Sequence, residues 1–481
     1  MGFKRGLAWT AAGQGSFFVI QFGGSVIVAR LLSPYELGVF ALALAITGVL
    51  NLIQSIGLSS YIVREPDLTP ERIATAFTVN AAMSLVLAAA TAALGLAGTF
   101  IASDPGIRGV LLVLALTPLI GAVGIVPLAL LEREADFRVI STANVVRSII
   151  ATTGTVALAL MGWSYYSIAW GQVGGAAVST AFVCVAARRH VTWRMSVAGW
   201  REISRFGAQM IAISGVNSLA ARASDLLLGK LSGLAALGLF NRAANVTNLF
   251  WENLHLVMGR VAFAELSRQK REGMSLRGFY LSASEMITAS LWPLFTGLAV
   301  LSEPLIRLVY GDKWAAAAGP FALLALSAVV QLSITLTWEV FVACGETGRQ
   351  AKFEFVRTIV GTTFFAVGCA ISLEGAAAAR VAESVFSLLL YRPHLSRMTE
   401  TSLTDMGPIY LRSGLLTLLA VLPASILMIH GGEAARTLPP LSMGGAVLAG
   451  IGLWAVGLVL LRHPIFREAM LLLDRKRRAS A

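Results

Sequence analysis

Charge is what this chain most lacks. Only 13% of its 481 residues are Asp, Glu, Lys or Arg, against roughly 25% in soluble proteins. So little charge cannot cover a water-soluble fold of this size. Cysteine is equally scarce, with Cys184, Cys344 and Cys369 alone. An odd number, each inside an apolar stretch, argues against a disulfide framework, and the three read as small core residues. Zinc-ligand spacing, a nucleophile elbow and a phosphate-cradling Gly-rich loop are all missing. No connecting loop is long enough to be a domain outside a membrane. The net charge of +12 could suggest nucleic acid. However, the basic residues sit in short loops between apolar runs, where membrane orientation accounts for them better, so no nucleic-acid partner is expected.

Hydrophobic residues make up 56% of the chain, and the mean hydropathy is +0.75. Apolar runs of about 20 residues, each able to cross a hydrocarbon core of about 30 Å, recur throughout. The windows are 7–31, 37–62, 73–100, 109–131, 139–161, 164–187, 205–230, 235–264, 279–301, 315–343, 353–373, 375–393, 409–430 and 441–462. The expectation is an all-α polytopic membrane protein of about 14 spans. The first window is too long for a signal h-region and lacks a cleavage site, so it reads as a span.

With the N-terminus placed inside and the spans alternating, roughly 27 of the 38 Lys and Arg fall on the inner side and about 6 on the outer. Inner clusters include Arg188, Arg189, Arg194, Arg201 and Arg205, then Arg268, Lys270, Arg271 and Arg277. The asymmetry predicts an even span count with both termini cytoplasmic. A short repeat accompanies it. Leu32-Ser33-Pro34 leads into Leu37-Gly38-Val39-Phe40, and about 200 residues later Leu231-Ser232-Gly233 leads into Leu237-Gly238-Leu239-Phe240. Both copies fall between the first two spans of a six-span unit. A parallel repeat implies two six-helix lobes, 1–200 and 201–400, around a central cavity. Residues 401–481 add two more helices and a basic tail, whose Arg475, Lys476, Arg477 and Arg478 suit anionic membrane lipids.

Several stretches resemble one known family. Val28–Glu65 (VARLLSPYELGVFALALAITGVLNLIQSIGLSSYIVRE) is similar to the opening of polysaccharide flippases of the multidrug/oligosaccharidyl-lipid/polysaccharide exporter superfamily. Leu131–Ile140 (LEREADFRVI) resembles the inner loop after its fourth span. Ser224–Arg242 (SDLLLGKLSGLAALGLFNR) resembles the start of its second lobe. Pro304–Trp314 (PLIRLVYGDKW) and Ala343–Arg349 (ACGETGR) resemble the elbow before its tenth span and the turn after it. The resemblance implies a bacterial inner-membrane flippase that moves undecaprenyl-diphosphate-linked oligosaccharide by alternating access. It would serve export of a surface polysaccharide, beside polymerase and export machinery. An ion-coupled multidrug exporter of the same superfamily is the alternative. An enzyme is disfavoured because the external connections are short.

Ionisable groups inside a span are costly and usually face protein or a wet cavity. In the eighth span, Arg242 and Arg260 lie about 18 residues, or about five turns, apart, so they point the same way about 27 Å from each other. Asn245, Asn248, Glu252, Asn253 and Gly259 fall on or beside that face. A cavity wall whose guanidinium groups hold diphosphate oxygens is one reading. The other is that the arginines snorkel to opposite interfaces while Glu252 pairs within the bundle. The seventh span aligns Ser214, Asn217, Ser218 and Asp225 with Arg222 at the edge, and Arg222 and Asp225 have pair spacing. The first aligns Thr10, Gln14, Gln21 and Ser25; the second aligns Thr47, Asn51, Gln54 and Ser55. Such stripes can simply glue helices together, but the repeat makes these four spans equivalent, which favours a shared cavity.

Arg147, Glu285, Glu339, Arg380 and Glu383 read as structural, with Arg380 and Glu383 again at pair spacing. His255 reads as a packed histidine. Trp314 with Lys313 reads as an interfacial anchor. No cofactor is expected. A coupling cation, proton or sodium, would need an acidic site, for which Glu252 or Asp225 could serve.

Overall fold

The computed structural model describes residues 20–55, 58–97, 104–188, 194–432 and 439–466; side chains at 51–55, 60, 206–218, 220–221, 252–257 and 260 are outside that description. The described chain is helical throughout. Its helices are α1 (Ile20–Leu31), then α2 (Pro34–Ser55), α3 (Leu58–Arg64), α4 (Pro70–Ala97), α5 (Pro105–Leu114), α6 (Leu116–Arg133), α7 (Phe137–Leu160), α8 (Tyr166–Ala186) and α9 (Trp200–Leu231). They continue as α10 (Leu234–Arg271), α11 (Arg277–Val300), α12 (Ser302–Tyr310), α13 (Ala318–Leu332), α14 (Thr337–Ala343), α15 (Thr347–Ile371), α16 (Leu373–Thr399), α17 (Leu403–Gly431) and α18 (Pro440–Leu460). Every apolar window from the second onward lies on one of these helices or on a broken pair. Among the described residues 8 helices are long and apolar enough to cross a membrane, or 9 if α11 and α12, bent by 73°, form one span. The other windows coincide with shorter or more polar helices.

Helix starts follow local chemistry. Ser33-Pro34-Tyr35-Glu36 forms a capping box at α2: the Ser33 N–H and hydroxyl donate to the Glu36 carboxylate (2.6 and 2.8 Å), and the Glu36 N–H donates back to the Ser33 hydroxyl. Pro34 occupies the first helical position, where a missing N–H costs nothing. Ser402 and Asp405 cap α17 in the same way. Pro127, Pro293, Pro408 and Pro423 stand inside helices, as membrane-spanning helices tolerate.

The chain divides into two compact units, Met1–Gly238 and Leu239–Ala481. In the first, α7 packs on α8, α4 on α6, and α6 on α8; α9 packs on α2. Tyr61, Ile62, Ile73, Val126, Leu130 and Ile203 form a core that fastens the start of α9 to α3, α4 and α6. In the second unit, α15 packs on α16, α11 on α17, α13 on α16, and α17 on α18. Its larger core includes Tyr280, Phe295, Phe341, Tyr391, Leu395 and Met406. Phe341, Phe353 and Tyr391 meet edge to face, with centroids 5.7–6.1 Å apart. Large apolar side chains remain exposed along the helices, such as Leu85, Leu96, Leu418, Ile429, Leu448 and Leu460. An apolar surface of this extent suits lipid as its solvent.

The repeat has a structural counterpart within the first unit. A Cβ built on Gly38 would overlap the carbonyl oxygen of Leu234, and one built on Gly238 would overlap that of Pro34. The corresponding glycines of the two copies thus bring the first turn of α10 and that of α2 into backbone contact, each making room for the other.

Trp314 departs from the sequence expectation. It is fully buried rather than anchored at a lipid interface. The sharp bend between α11 and α12 carries the short 3-10 turn Asp312–Ala317 back into the unit, where the indole packs beside Tyr310 with centroids 6.2 Å apart.

Candidate functional site

The polar face of the eighth span lies on one uninterrupted helix. α10 runs from Leu234 to Arg271, so the spacing of Arg242 and Arg260 along one axis holds. Asn245 and Asn248 are exposed on it. An amide placed in hydrocarbon would lose its hydrogen bonds, so these two side chains call for water or a polar partner. Arg242, one turn before Asn245, is half-buried. Its guanidinium stands 5.8 Å from the centroids of both Tyr310 and Trp314, a geometry in which ring quadrupoles stabilise a cation. The elbow after α12 therefore cradles this arginine. The side chains of Glu252, Asn253 and Arg260 lie outside the described residues, although their backbone belongs to α10. Gly259, directly before Arg260, is where α14 comes close: a Cβ there would lie 2.5 Å from Oε1 of Glu339, a carboxylate only 3% exposed.

On α9, Arg222 Nη1 stands 4.0 Å from Asp225 Oδ2, as the spacing of the two residues predicts. The arginine also lies over Gly48 of α2, where a Cβ would come within 2.7 Å of Nε. Arg222 of the seventh span thus lies against α2, the second span. Gln21 is exposed on α1. Gln14 lies outside the described residues, as do the side chains of Asn51 and Gln54. Thr47 is buried and donates to the Ala43 carbonyl of its own helix at 3.0 Å, so it is satisfied locally. Among the described residues no three His, Cys, Asp or Glu side chains cluster closely enough to hold a metal ion.

Among the described residues, two networks of charges lie in the second unit, while Arg147 is exposed on α7. Glu383 of α16 accepts from Arg380 at 2.7 Å, one turn away, and from Arg357 of α15 at 2.6 Å. Arg357 also pairs with Glu354, which accepts from the Tyr391 hydroxyl at 3.2 Å. Gly361 makes room for Glu383, since a Cβ there would lie 2.5 Å from its carboxyl carbon. The Glu354 and Arg357 spacing is visible in sequence but was not singled out above; the cross-helix bond to Glu383 has no sequence signature. Elsewhere Glu285 of α11 meets Arg412 of α17 at 3.3 Å and His463, beyond α18, at 3.6 Å. Burial pushes the His463 imidazole below its usual pKa, while Glu285 opposes that shift. These contacts tie α17 and α18, the helices outside the repeat, to α11.

Glu383→Ala is expected to cost about 3 kcal/mol, because two arginines lose their shared carboxylate in a largely desolvated position. Glu383→Gln, which retains volume and an acceptor, should cost clearly less. Unfolding in detergent compares the two, and equal losses would mean that the charge contributes nothing.

The fold defines a polytopic all-helical membrane protein. Residues 27–319 match the family described as "Polysaccharide biosynthesis protein", and the chain belongs to that family. The succinoglycan biosynthesis transport protein ExoT of Rhizobium meliloti (strain 1021) is 25% identical over 326 residues, covering 67% of this chain and 65% of that protein. The aligned stretch is thus just under two thirds of the relative's length. Among solved structures, the lipid II flippase MurJ in an inward closed conformation superposes with a TM-score of 0.74 at 13% identity, covering 95% of this chain and 99% of the other. An inward-facing multidrug resistance transporter of the MATE family superposes with a TM-score of 0.59 at 15% identity, over 80% of this chain and 96% of the other. These likenesses establish a shared fold.

Proposed function

We propose that the chain is a flippase, not an enzyme, which carries undecaprenyl-diphosphate-linked oligosaccharide across the bacterial inner membrane for export of a surface polysaccharide. The observation that carries this reading is the polar character of α10: Asn245 and Asn248 are exposed on a helix that also bears Arg242 and Arg260. Such a face suits a ligand with a sugar head and an anionic diphosphate. Sugar hydroxyls bond to amides, and phosphate oxygens bond to guanidinium forks. Family membership and the relative named for succinoglycan transport support the same direction.

In this reading Arg260, Arg242, Glu252, Asn253 and Asn245, with Arg222, Asp225, Gln14, Gln21, Asn51 and Gln54, bind the polar head. The prenyl chain stays in lipid, and the polar face is exposed alternately to the two sides. Both termini lie in the cytoplasm, and the lobes 1–200 and 201–400 move as bodies. A proton or sodium ion exchanged for substrate is held by Glu252 or Asp225, and a polymerase takes the delivered unit.

Depletion of the chain in its native host tests this. Surface polymer should fall while lipid-linked oligosaccharide accumulates in membrane extracts. Re-expression should reverse both, with drug sensitivity unchanged. Normal polymer together with raised drug sensitivity would overturn the proposal in favour of a multidrug exporter.

A further inference from the structure

The connector between α8 and α9 is irregular, yet its backbone is fastened to α4. The Ser196 N–H donates to the Thr78 hydroxyl at 3.0 Å, and the Thr75 hydroxyl donates to the Ala198 carbonyl at 2.9 Å. The Ala198 N–H donates to the Ser196 hydroxyl at 3.2 Å, so that side chain is turned back onto the connector. Ile203, in the first turn of α9, is buried in the core shared with α3, α4 and α6. The connector and the helix start that follows it are thus held in place. What they leave outward is apolar: Met195 is 77% exposed, Val197 71% and Trp200 49%.

The helix that holds the connector sets its depth. α4 is a candidate membrane span of 28 residues, which makes it about 42 Å long at about 1.5 Å per residue. A hydrocarbon core is about 30 Å thick, or about 40–45 Å with its headgroup layers. A helix of that length reaches through both headgroup layers. Thr75 and Thr78 lie about 8 and 12 Å from its start, where it passes from headgroups into hydrocarbon. Exposed apolar side chains at that level are stabilised by acyl chains rather than by water.

Charge accompanies them. Arg188, Arg189, Arg194, Arg201 and Arg205 surround this apolar set, and Glu202 is the one carboxylate between them. Arg194, Arg201 and Arg205 are exposed. Arg201 and Arg205 are one turn apart on α9 and share a face. The Arg201 guanidinium stands 5.8 Å from the centroid of the Trp200 ring. Tryptophan favours the headgroup level, and arginine reaches from there to phosphate. A zwitterionic lipid carries its own cation beside the phosphate, so these arginines favour a headgroup with net negative charge.

We propose that the connector Arg194–Trp200, with Arg201 and Arg205, is an interfacial binding site for anionic phospholipid. Met195, Val197 and Trp200 enter the edge of the acyl layer, and the three arginines hold the headgroup phosphate. The site is independent of the α10 face and of the transported substrate.

The test uses the full-length chain in nanodiscs, with Cys184, Cys344 and Cys369 replaced by alanine. Nitroxides at Met195→Cys and Val197→Cys should be relaxed by oxygen, which concentrates in hydrocarbon, and shielded from a water-soluble nickel chelate. Glu272→Cys, at the end of α10, supplies the water-exposed reference. A bimane at Val197→Cys should be quenched more by brominated phosphatidylglycerol than by brominated phosphatidylcholine at equal content. That preference should fall about 5-fold for each of Arg194→Gln, Arg201→Gln and Arg205→Gln at low salt, and it should weaken as salt is raised. Labels at 195 and 197 as open to nickel as the reference would overturn the proposal and leave the surface to a protein partner. Equal quenching by the two lipids, or a preference unchanged in the triple variant, would overturn it as well, because the connector would then touch lipid without recognising an anionic headgroup.

Discussion

Gly38→Ala and Gly238→Ala should each destabilise the chain by about 3 kcal/mol. In both cases the new methyl group would overlap a backbone carbonyl oxygen, of Leu234 and Pro34 respectively. A side-chain clash can relax by a rotamer change, but a backbone clash requires two helices to move apart. The first turns of α2 and α10 would separate, losing dispersion contacts along both helices. Gly174→Ala supplies the control. Gly174 lies inside α8 with nothing within 4 Å of a Cβ placed there, so alanine should be neutral or gain about 0.5–1 kcal/mol from helix propensity. Thermal unfolding in detergent separates the three variants. If both of the paired substitutions leave stability at the level of Gly174→Ala, the backbone contact does not hold these turns together.

Arg260→Ala should lower polymer export about 10–100-fold at normal membrane level, the equivalent of losing a charge-assisted hydrogen bond of about 1.5–3 kcal/mol. Arg260→Lys should keep part of the activity if a point charge suffices, and little if phosphate is gripped by a fork. The competing role is structural. Because Glu339 abuts α10 at Gly259, it is the natural carboxylate to examine. A structural arginine predicts that Arg260→Ala falls in membrane abundance and that adding Glu339→Gln partly restores it. A substrate-binding arginine predicts normal abundance and no rescue. Export is therefore normalised to membrane protein, and wild-type export from well-expressed Arg260→Ala would remove the residue from the binding face.

Local relations in the site were legible in advance. Arg222 with Asp225 and Arg380 with Glu383 pair as their spacing predicts, because residues one turn apart on a helix are neighbours whatever surrounds them. On α10, the shared helix that spaces Arg242 and Arg260 was legible for the same reason. Relations between helices were not. Nothing in the sequence joins Glu383 to Arg357, Glu285 to Arg412 and His463, or Arg242 to the rings of Tyr310 and Trp314. Each depends on which helix faces lie against one another. Trp314 shows how this misleads: beside Lys313 it looks like an interfacial anchor, but the bend after α11 buries it.

The amino-acid sequence by itself determined that this protein lives in a bilayer, and where most helical segments after the first lie, though not their breaks or their outer ends. Without water, backbone groups must bond within their own segment, so an apolar run of sufficient length has little choice but to be a helix. It also placed equivalent glycines at positions 38 and 238. Only the tertiary structure decided that these glycines meet backbone to backbone, and which carboxylates Arg357 and Arg412 find on other helices. Helix packing is set by shape and small residues distributed over distant segments, and no single segment records which partner it will meet.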